Sequence, residues 1–143
     1  MPGLPVKGWV RIWQDGSLLA EGKNRVVADG LKLLAERLDD GTAALPSLFK
    51  LGDSAAVTQE GMTALQGSEV GQLNATRTRR ENILTWSGEL TVSGSSSKVC
   101  KEIGLFQADG DGGRMLARFL PLQQFTVKNG TYIRINWEIT IGE

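Results

Sequence analysis

Few side chains of this 143-residue chain could carry out covalent chemistry. It contains no histidine and a single cysteine, Cys100, which excludes Ser–His and Cys–His catalysis and metal binding through imidazole. One cysteine also cannot form a disulfide within the chain. Aspartate and glutamate are scattered, and no pair of carboxylates stands out as an acid–base couple. We therefore expect no enzymatic activity and no cofactor, with a carboxylate-only hydrolase as the remaining enzyme class.

Residues 109–113, with the sequence DGDGG, are a candidate cation site. They resemble the beginning of a helix–loop–helix calcium loop, but the twelfth position, which needs a bidentate glutamate, is Leu120. Aspartate and glycine are also the usual residues of tight turns. The pattern therefore favours a hairpin turn, and no metal site is predicted.

Trp9, Arg11 and Trp13 alternate along the first predicted strand, with Val10 and Ile12 on its other face. A strand that is apolar on both faces is either covered on both sides or meets another chain. Tryptophan and arginine are typical interface anchors. The pattern favours burial in the core, and the alternative, an anchor between chains, makes Trp9, Arg11 and Trp13 interface candidates.

Arg77, Arg79 and Arg80 form a second group of interface candidates. Arg77 and Arg79 would share one face of a strand. Phosphate contact is an alternative, but no aromatic residues are interleaved for base stacking. Lysine plus arginine and aspartate plus glutamate both number 16, so the net charge is zero, which argues against coating nucleic acid. We expect a solvated strand face or ion pairs across a subunit boundary, and no nucleic-acid partner.

The segments that must position these residues are short apolar runs separated by turn signals such as Asp-Gly and Asn-Gly. This pattern predicts a mainly β fold, an antiparallel β-sandwich of jelly-roll-like type. Polar and apolar residues alternate over 84–93 and 133–141, which predicts two strands with one buried face each. Residues 57–70 lack periodicity and are interpreted as a long loop.

Further strands are predicted from the turns between them. Residues 6–14 and 17–21 would form a first hairpin around an Asp-Gly turn. Residues 48–51 form a short strand, and 98–106 would pair with 114–120 across the glycine-rich turn.

The Asn129-Gly130 turn predicts a further hairpin. A three-residue loop ending at Gly130 would place Phe125 opposite Ile133 and Val127 opposite Thr131, so that the apolar residues share a face.

One helix is predicted near residues 29–40. Its apolar stripe has the spacing i, i+3, i+4, i+7 and consists of Leu31, Leu34, Ala35 and Leu38. Asp29 is a suitable N-cap and Gly41 a suitable C-terminal stop. We expect this stripe to pack on a sheet.

The domain organisation is expected to be simple. Pro2 and Pro5 predict an extended N-terminal arm over residues 1–5, followed by a single β-sandwich domain over 6–143. No segment approaches the roughly 20 apolar residues of a membrane span, and we expect neither a span nor a signal peptide.

Several segments, in order along the chain, resemble small tail-associated proteins of tailed bacteriophages and prophages. They are GKNRVVADGL (22–31), FKLGD (49–53) with TAL (63–65) and Glu69, EIGLF (102–106), MLAR (115–118) and INWEITI (135–141). The most specific pieces are EIGLF and the LAR that follows it. The residues after FKLG, at 53–56, depart from the family pattern.

The resemblance implies a non-enzymatic virion protein, made in the host cytoplasm and located in the phage tail, at the baseplate or tail-fibre attachment region. Its partners would be other copies of itself and other tail proteins. The alternatives are a head fibre or decoration protein on the capsid, or a receptor module whose tryptophans stack on host glycan. Within EIGLF, we expect Ile103 and Leu105 to face the core, while Gly104 permits close backbone approach.

Overall fold

The computed structural model describes residues 6–94 and 97–142, so the predicted arm over residues 1–5 lies outside the described residues. The described elements are β1 (Val6–Gln14), β2 (Ser17–Lys23), β3 (Arg25–Val26), α1 (Ala28–Asp40), β4 (Leu48–Gly52), β5 (Glu69–Asn74), β6 (Thr76–Arg80), β7 (Ile83–Thr91), β8 (Lys98–Cys100), β9 (Glu102–Phe106), β10 (Met115–Phe119), β11 (Phe125–Val127) and β12 (Tyr132–Ile141). In the described residues no helix is long and apolar enough to cross a membrane.

Two five-stranded antiparallel sheets pack face to face. Sheet A has the order β2-β1-β12-β7-β6, sheet B has the order β3-β10-β9-β4-β5, and β11 pairs with β8 in a small third sheet. The alternation in β12 places Ile133, Ile135, Trp137 and Ile139 in the core, each fully buried. The predicted mainly β, antiparallel sandwich with one helix is therefore confirmed.

Two strand passes cross from one sheet to the other. β2 continues through Asn24 into β3, and β5 continues through Ala75 into β6. Each pass supplies an outer strand of sheet A and an outer strand of sheet B. The corners of the sandwich are thus made by strands that change sheet.

The core lies between the sheets and is built around Trp137. The Phe49 ring of sheet B stacks on the Trp137 ring of sheet A with centroids 6.0 Å apart. The Phe119 ring meets the same indole edge-on at 6.5 Å. Trp86 is also fully buried, and its indole N–H donates to the Pro46 carbonyl at 2.8 Å, which satisfies this polar group inside the core.

The predicted hairpins are confirmed in two places. Asp15 and Gly16 have φ angles of 50° and 86° and join β1 to β2, the geometry of a type I′ turn. The pairing of β9 with β10 is also as predicted. However, the segment 98–106 is broken at Lys101, whose N–H donates to the Gly52 carbonyl at 2.8 Å. Its first part, β8, pairs with β11 instead.

The predicted hairpin between residues 125–127 and 131–133 is wrong. Gly130 has a φ of 85° and the Thr131 N–H bonds the Lys128 carbonyl, so the turn itself forms. The Gly130 N–H and the Thr131 carbonyl are then bound by Val92, which follows β7. The chain therefore leaves the small sheet and enters sheet A, where β12 pairs with β1 and β7.

Helix α1 is confirmed, but its N-cap was wrongly predicted. Gly41 has a φ of 74° and ends the helix as expected. The cap position is Val27 rather than Asp29, and no side chain caps the helix. Instead, the Ala28 N–H donates to the Glu60 carbonyl at 2.8 Å. A loop carbonyl therefore satisfies one of the N–H groups left free at the helix start.

The face by which α1 packs was also wrongly predicted. Gly30 and Leu33 are buried, whereas Leu31 and Leu38 are 47% and 85% exposed. A Cβ atom at Gly30 would lie 2.1 Å from the carbonyl oxygen of Leu116 in β10. The helix therefore approaches the sheet through a glycine. Of the predicted stripe, Leu34 packs against the core, whereas Leu31, Ala35 and Leu38 are turned toward the surface.

Candidate functional site

A buried ion pair lies on the face of sheet B that is turned away from sheet A. Glu102 begins β9 and Arg118 lies on the neighbouring strand β10, opposite Gly104. The two side chains are 0% and 1% exposed. The Arg118 Nε donates to Glu102 Oε1 at 3.0 Å, and Nη2 lies at the same distance from that oxygen.

The Glu102–Arg118 pair binds the long loop that connects β4 to β5, residues 53–68, which we call the anchored loop. The Glu102 carboxylate accepts the backbone N–H groups of Ser54, Gln66 and Gly67 at 3.1, 2.9 and 2.8 Å. These bonds and the one from Arg118 occupy the roughly four lone-pair sites of a carboxylate.

The arginine completes the attachment from the other side. Arg118 donates to the carbonyl oxygens of Ala56 and Ser54 at 2.6 and 3.2 Å, and to the Thr58 hydroxyl at 2.9 Å. A buried charge pair is tolerated when additional hydrogen bonds satisfy both groups. With its acceptor sites filled and no solvent contact, Glu102 holds the backbone of the anchored loop.

Two glycines leave space for this arrangement. A Cβ at Gly52 would lie 2.5 Å from Glu102 Oε2, and one at Gly67 would lie 2.1 Å from Asp53 Oδ1. The long loop was predicted for residues 57–70, although Glu69 and Val70 belong to β5. The ion pair was not predicted. Its signal is present in the segments EIGLF and LAR, which contribute its two members.

Trp9, Arg11 and Trp13 lie on the outer face of sheet A, while Val10 and Ile12 are fully buried. The division of β1 into two faces is thus as predicted. The guanidinium of Arg134 lies 4.3 Å from the Trp13 ring centroid, within the range of a cation–π contact. Arg11 and Glu21 form an exposed ion pair at 3.8 Å.

A cleft of about 400 Å³ opens beside Trp9. It is lined by Val6, Lys7, Gly8, Trp9, Lys23, Asn24, Glu138 and Thr140. Among the described residues, neither the indole N–H of Trp9 nor the carboxamide of Asn24 has a hydrogen-bond partner. Buried polar groups without a partner are uncommon in native proteins, so this cleft is a candidate binding site.

Arg77, Arg79 and Arg80 form the outer strand β6 of sheet A and are exposed. Arg77 and Arg79 share a face as predicted, and Arg80 points to the other one, as the register with β7 requires. Arg79 donates to the Glu81 carbonyl at 2.8 Å. β12 and β7 separate this strand from β1, so the two groups of interface candidates lie apart.

Residues 109–113 form the predicted turn. A short 3-10 helix over Asp109–Asp111 is followed by Gly113, whose N–H donates to the Ala108 carbonyl at 3.1 Å. The Asp109 carboxylate lies 3.5 Å from the Lys50 ammonium. In residues 6–94 and 97–142 no three histidine, cysteine or acidic side chains converge as metal ligands.

Cys100 is fully buried, and burial raises the pKa of its thiol to about 12. The Sγ–H donates to the Glu102 carbonyl at 3.3 Å. A thiol with a raised pKa and no exposure is unreactive, so Cys100 is a small core residue.

No family model matches this chain, and no curated protein or solved structure shows significant similarity to it. The resemblance of its segments to phage tail proteins therefore stays a prediction. The physical basis for a function is the anchored loop, the outer face of sheet A and the exposed side of α1.

Proposed function

We propose that this chain is a non-enzymatic structural protein of a bacteriophage tail, at the baseplate or tail-fibre attachment region, acting through oligomeric assembly. One observation supports this proposal above the others. The two segments that most specifically resemble tail proteins lie on the paired strands β9 and β10. They supply Glu102 and Arg118, which hold the anchored loop. The segment FKLGD lies on the next strand, β4. Three of the family-like segments thus lie side by side in sheet B.

An anchored loop suits a protein that acts through its surface. The loop crosses a sheet face and presents Val57, which is 76% exposed, and the half-buried Met62. Because its backbone is fixed by buried charges, it loses little conformational freedom when a neighbouring subunit binds. A loop held only by solvent contacts would lose more.

The experiment is to locate the protein on particles from a strain that encodes it. Antibodies raised against the purified chain are applied to the particles with gold labels and viewed by electron microscopy. Label at the baseplate or fibre attachment supports the proposal, as does a ring or trimer of the purified chain. Label on the capsid replaces it by the head-fibre alternative. A chain that is absent from particles and monomeric at all concentrations contradicts it.

A glycan-binding module is the second candidate, favoured by the cleft beside Trp9. An indole ring next to unpaired amide and charged groups matches the needs of a sugar, which combines an apolar ring face with hydroxyls. Trp9→Ala would then abolish binding on an array of bacterial surface glycans. Trp13→Ala is the matched control, because the Trp13 ring is in contact with Arg134. Equal losses in both variants, or no binding by the native chain, would exclude this candidate.

A further inference from the structure

The exposed side of α1 carries an apolar stripe that nothing in the described residues covers. Leu31 is 47% exposed, Leu38 is 85% exposed, and Ala35 between them is also exposed. Lys32 and Asp39 flank this stripe, and neither has an ion-pair partner among residues 6–94 and 97–142.

Other charged residues of the helix are bound within the chain. The Glu36 carboxylate pairs with Arg114 at 2.6 Å. Arg37 donates to the Gly41 carbonyl at 3.1 Å, and Asp40 accepts the Thr42 hydroxyl at 2.6 Å. Lys32 and Asp39 are exposed and lie on the side of the helix away from the buried Gly30 and Leu33.

This pattern is nearly symmetric about Ala35. At about 100° per residue, Leu31 and Leu38 fall on one side of Ala35, and Lys32 and Asp39 fall on the other. A two-fold axis perpendicular to the helix near Ala35 generates a second helix that runs in the opposite direction. The leucine side of one helix then faces the leucine side of the other, and the charged sides face each other in the same way. The axis would place Leu31 against Leu38 of a second copy. It would also place Lys32 against Asp39 of that copy.

We propose that α1 pairs with α1 of a second copy of this chain as an antiparallel, two-fold symmetric helix pair centred on Ala35. Each dimer would contain two Leu31–Leu38 contacts and two Lys32–Asp39 ion pairs between the copies. The small side chain of Ala35 permits close approach of the helix axes at the crossing point. An isologous contact of this kind needs one self-complementary patch. The inference rests on the part of the proposed function that has the chain assembling with copies of itself.

Leu38→Lys is the first test, with Leu122→Lys as the matched control because Leu122 is fully exposed. Lysine forms helix well and is favourable near a helix C-terminus, so α1 remains intact. Leu38 is buried twice in a symmetric dimer. We therefore expect the dissociation constant, measured by analytical ultracentrifugation, to rise about a hundredfold. The control leaves it unchanged.

A charge exchange tests the orientation. Lys32→Asp alone, or Asp39→Lys alone, would give residues 32 and 39 the same charge, so that like charges would meet across the two-fold axis. The dimer would then be weakened severalfold at low salt. The double variant Lys32→Asp, Asp39→Lys would restore the wild-type dissociation constant. A parallel pair would not show this recovery, so its absence overturns the antiparallel arrangement.

Disulfide trapping gives a readout that does not depend on affinity. Two Ala35→Cys copies would oxidise to a covalent dimer at low micromolar concentration, whereas Leu122→Cys would stay monomeric, and the buried Cys100 does not compete. An oligomer that forms without this disulfide and survives Leu38→Lys overturns the helix pair but leaves the proposed function standing. If the helix pair forms but the chain is absent from phage particles, the proposed function is overturned and the helix pair stands.

Discussion

Arg118→Met tests the role of the Glu102–Arg118 pair most directly. Methionine is unbranched and flexible, but it donates no hydrogen bond. The variant leaves the Glu102 carboxylate fully buried, with three backbone N–H donors and no positive charge beside it. Removing one member of a buried ion pair costs about 3–5 kcal/mol. This is a large part of the roughly 5–15 kcal/mol that stabilises a domain.

Urea denaturation measures this loss. With a slope of about 2 kcal/mol per molar urea, the midpoint would fall by about 1.5–2.5 M. Arg11→Met is the matched control, because Arg11 pairs with Glu21 at 3.8 Å with both side chains about 40% exposed. An exposed pair contributes about 0–1 kcal/mol, so this midpoint would shift little.

The double variant Glu102→Met, Arg118→Met distinguishes two explanations. Apolar residues often replace a buried ion pair without loss of stability. Here the double variant would also release the N–H groups of Ser54, Gln66 and Gly67, and we expect it to stay less stable than the wild type. These amides would exchange hydrogen faster. A double variant with the wild-type midpoint and protected loop amides would refute the view that the pair holds the loop.

Three further results are expected. Gly30→Ala would lower the free energy of unfolding by about 1–3 kcal/mol, because the added Cβ would lie 2.1 Å from a carbonyl oxygen of β10. This clash outweighs the better helix propensity of alanine. The control Gly61→Ala, where the added Cβ meets open space, would change the free energy of unfolding by less than about 0.5 kcal/mol in the same urea titration. Cys100 would not react with a thiol dye in the native protein but would react on unfolding, since burial raises its pKa to about 12; rapid native labelling would contradict this. The hydrogen bond from Arg114 lowers the pKa of Glu36, so the pair stabilises the fold above the ordinary glutamate pKa. The difference in urea midpoint between wild type and Glu36→Gln would shrink as the pH falls below that ordinary pKa and would disappear once the pH is below the lowered pKa.

The strands with strict alternation could be predicted from the sequence because the alternating apolar residues over 84–92 and 133–141 face one core. β7 and β12 are of this kind. β5 was missed because it begins with Glu69 and contains Gly71, so its pattern is weak over a short edge strand. The wrong face of α1 has a different cause. A glycine has no side chain to count, and only the packing against β10 reveals that Gly30 marks the buried side.

The anchored loop marks the limit of sequence reasoning. The pairing of residues 98–106 with 114–120 was predicted, but its register was not. In the structure Arg118 lies opposite Gly104, diagonal to Glu102, beyond an irregularity in the pairing between Met115 and Ala117. The burial of the pair could not be predicted either, because it depends on where the backbone of residues 53–68 crosses the sheet. Charged residues are rarely fully buried unless they are paired. The pattern of residues along β9 and β10 does not show that the anchored loop covers this pair.

The pairing of β1 with β12 has a mechanical consequence. Val6 lies opposite Ile141, so both strands leave sheet A at the same end. A force that pulls these two ends apart would act on one pair of perpendicular hydrogen bonds after another, and the strands would separate stepwise at low load. A force applied between β6 and β2, across the width of the sheet, would load whole rows of bonds together. If the protein carries tension in a phage particle, we expect its neighbours to pull on the sheet faces and on the outer strands β2 and β6.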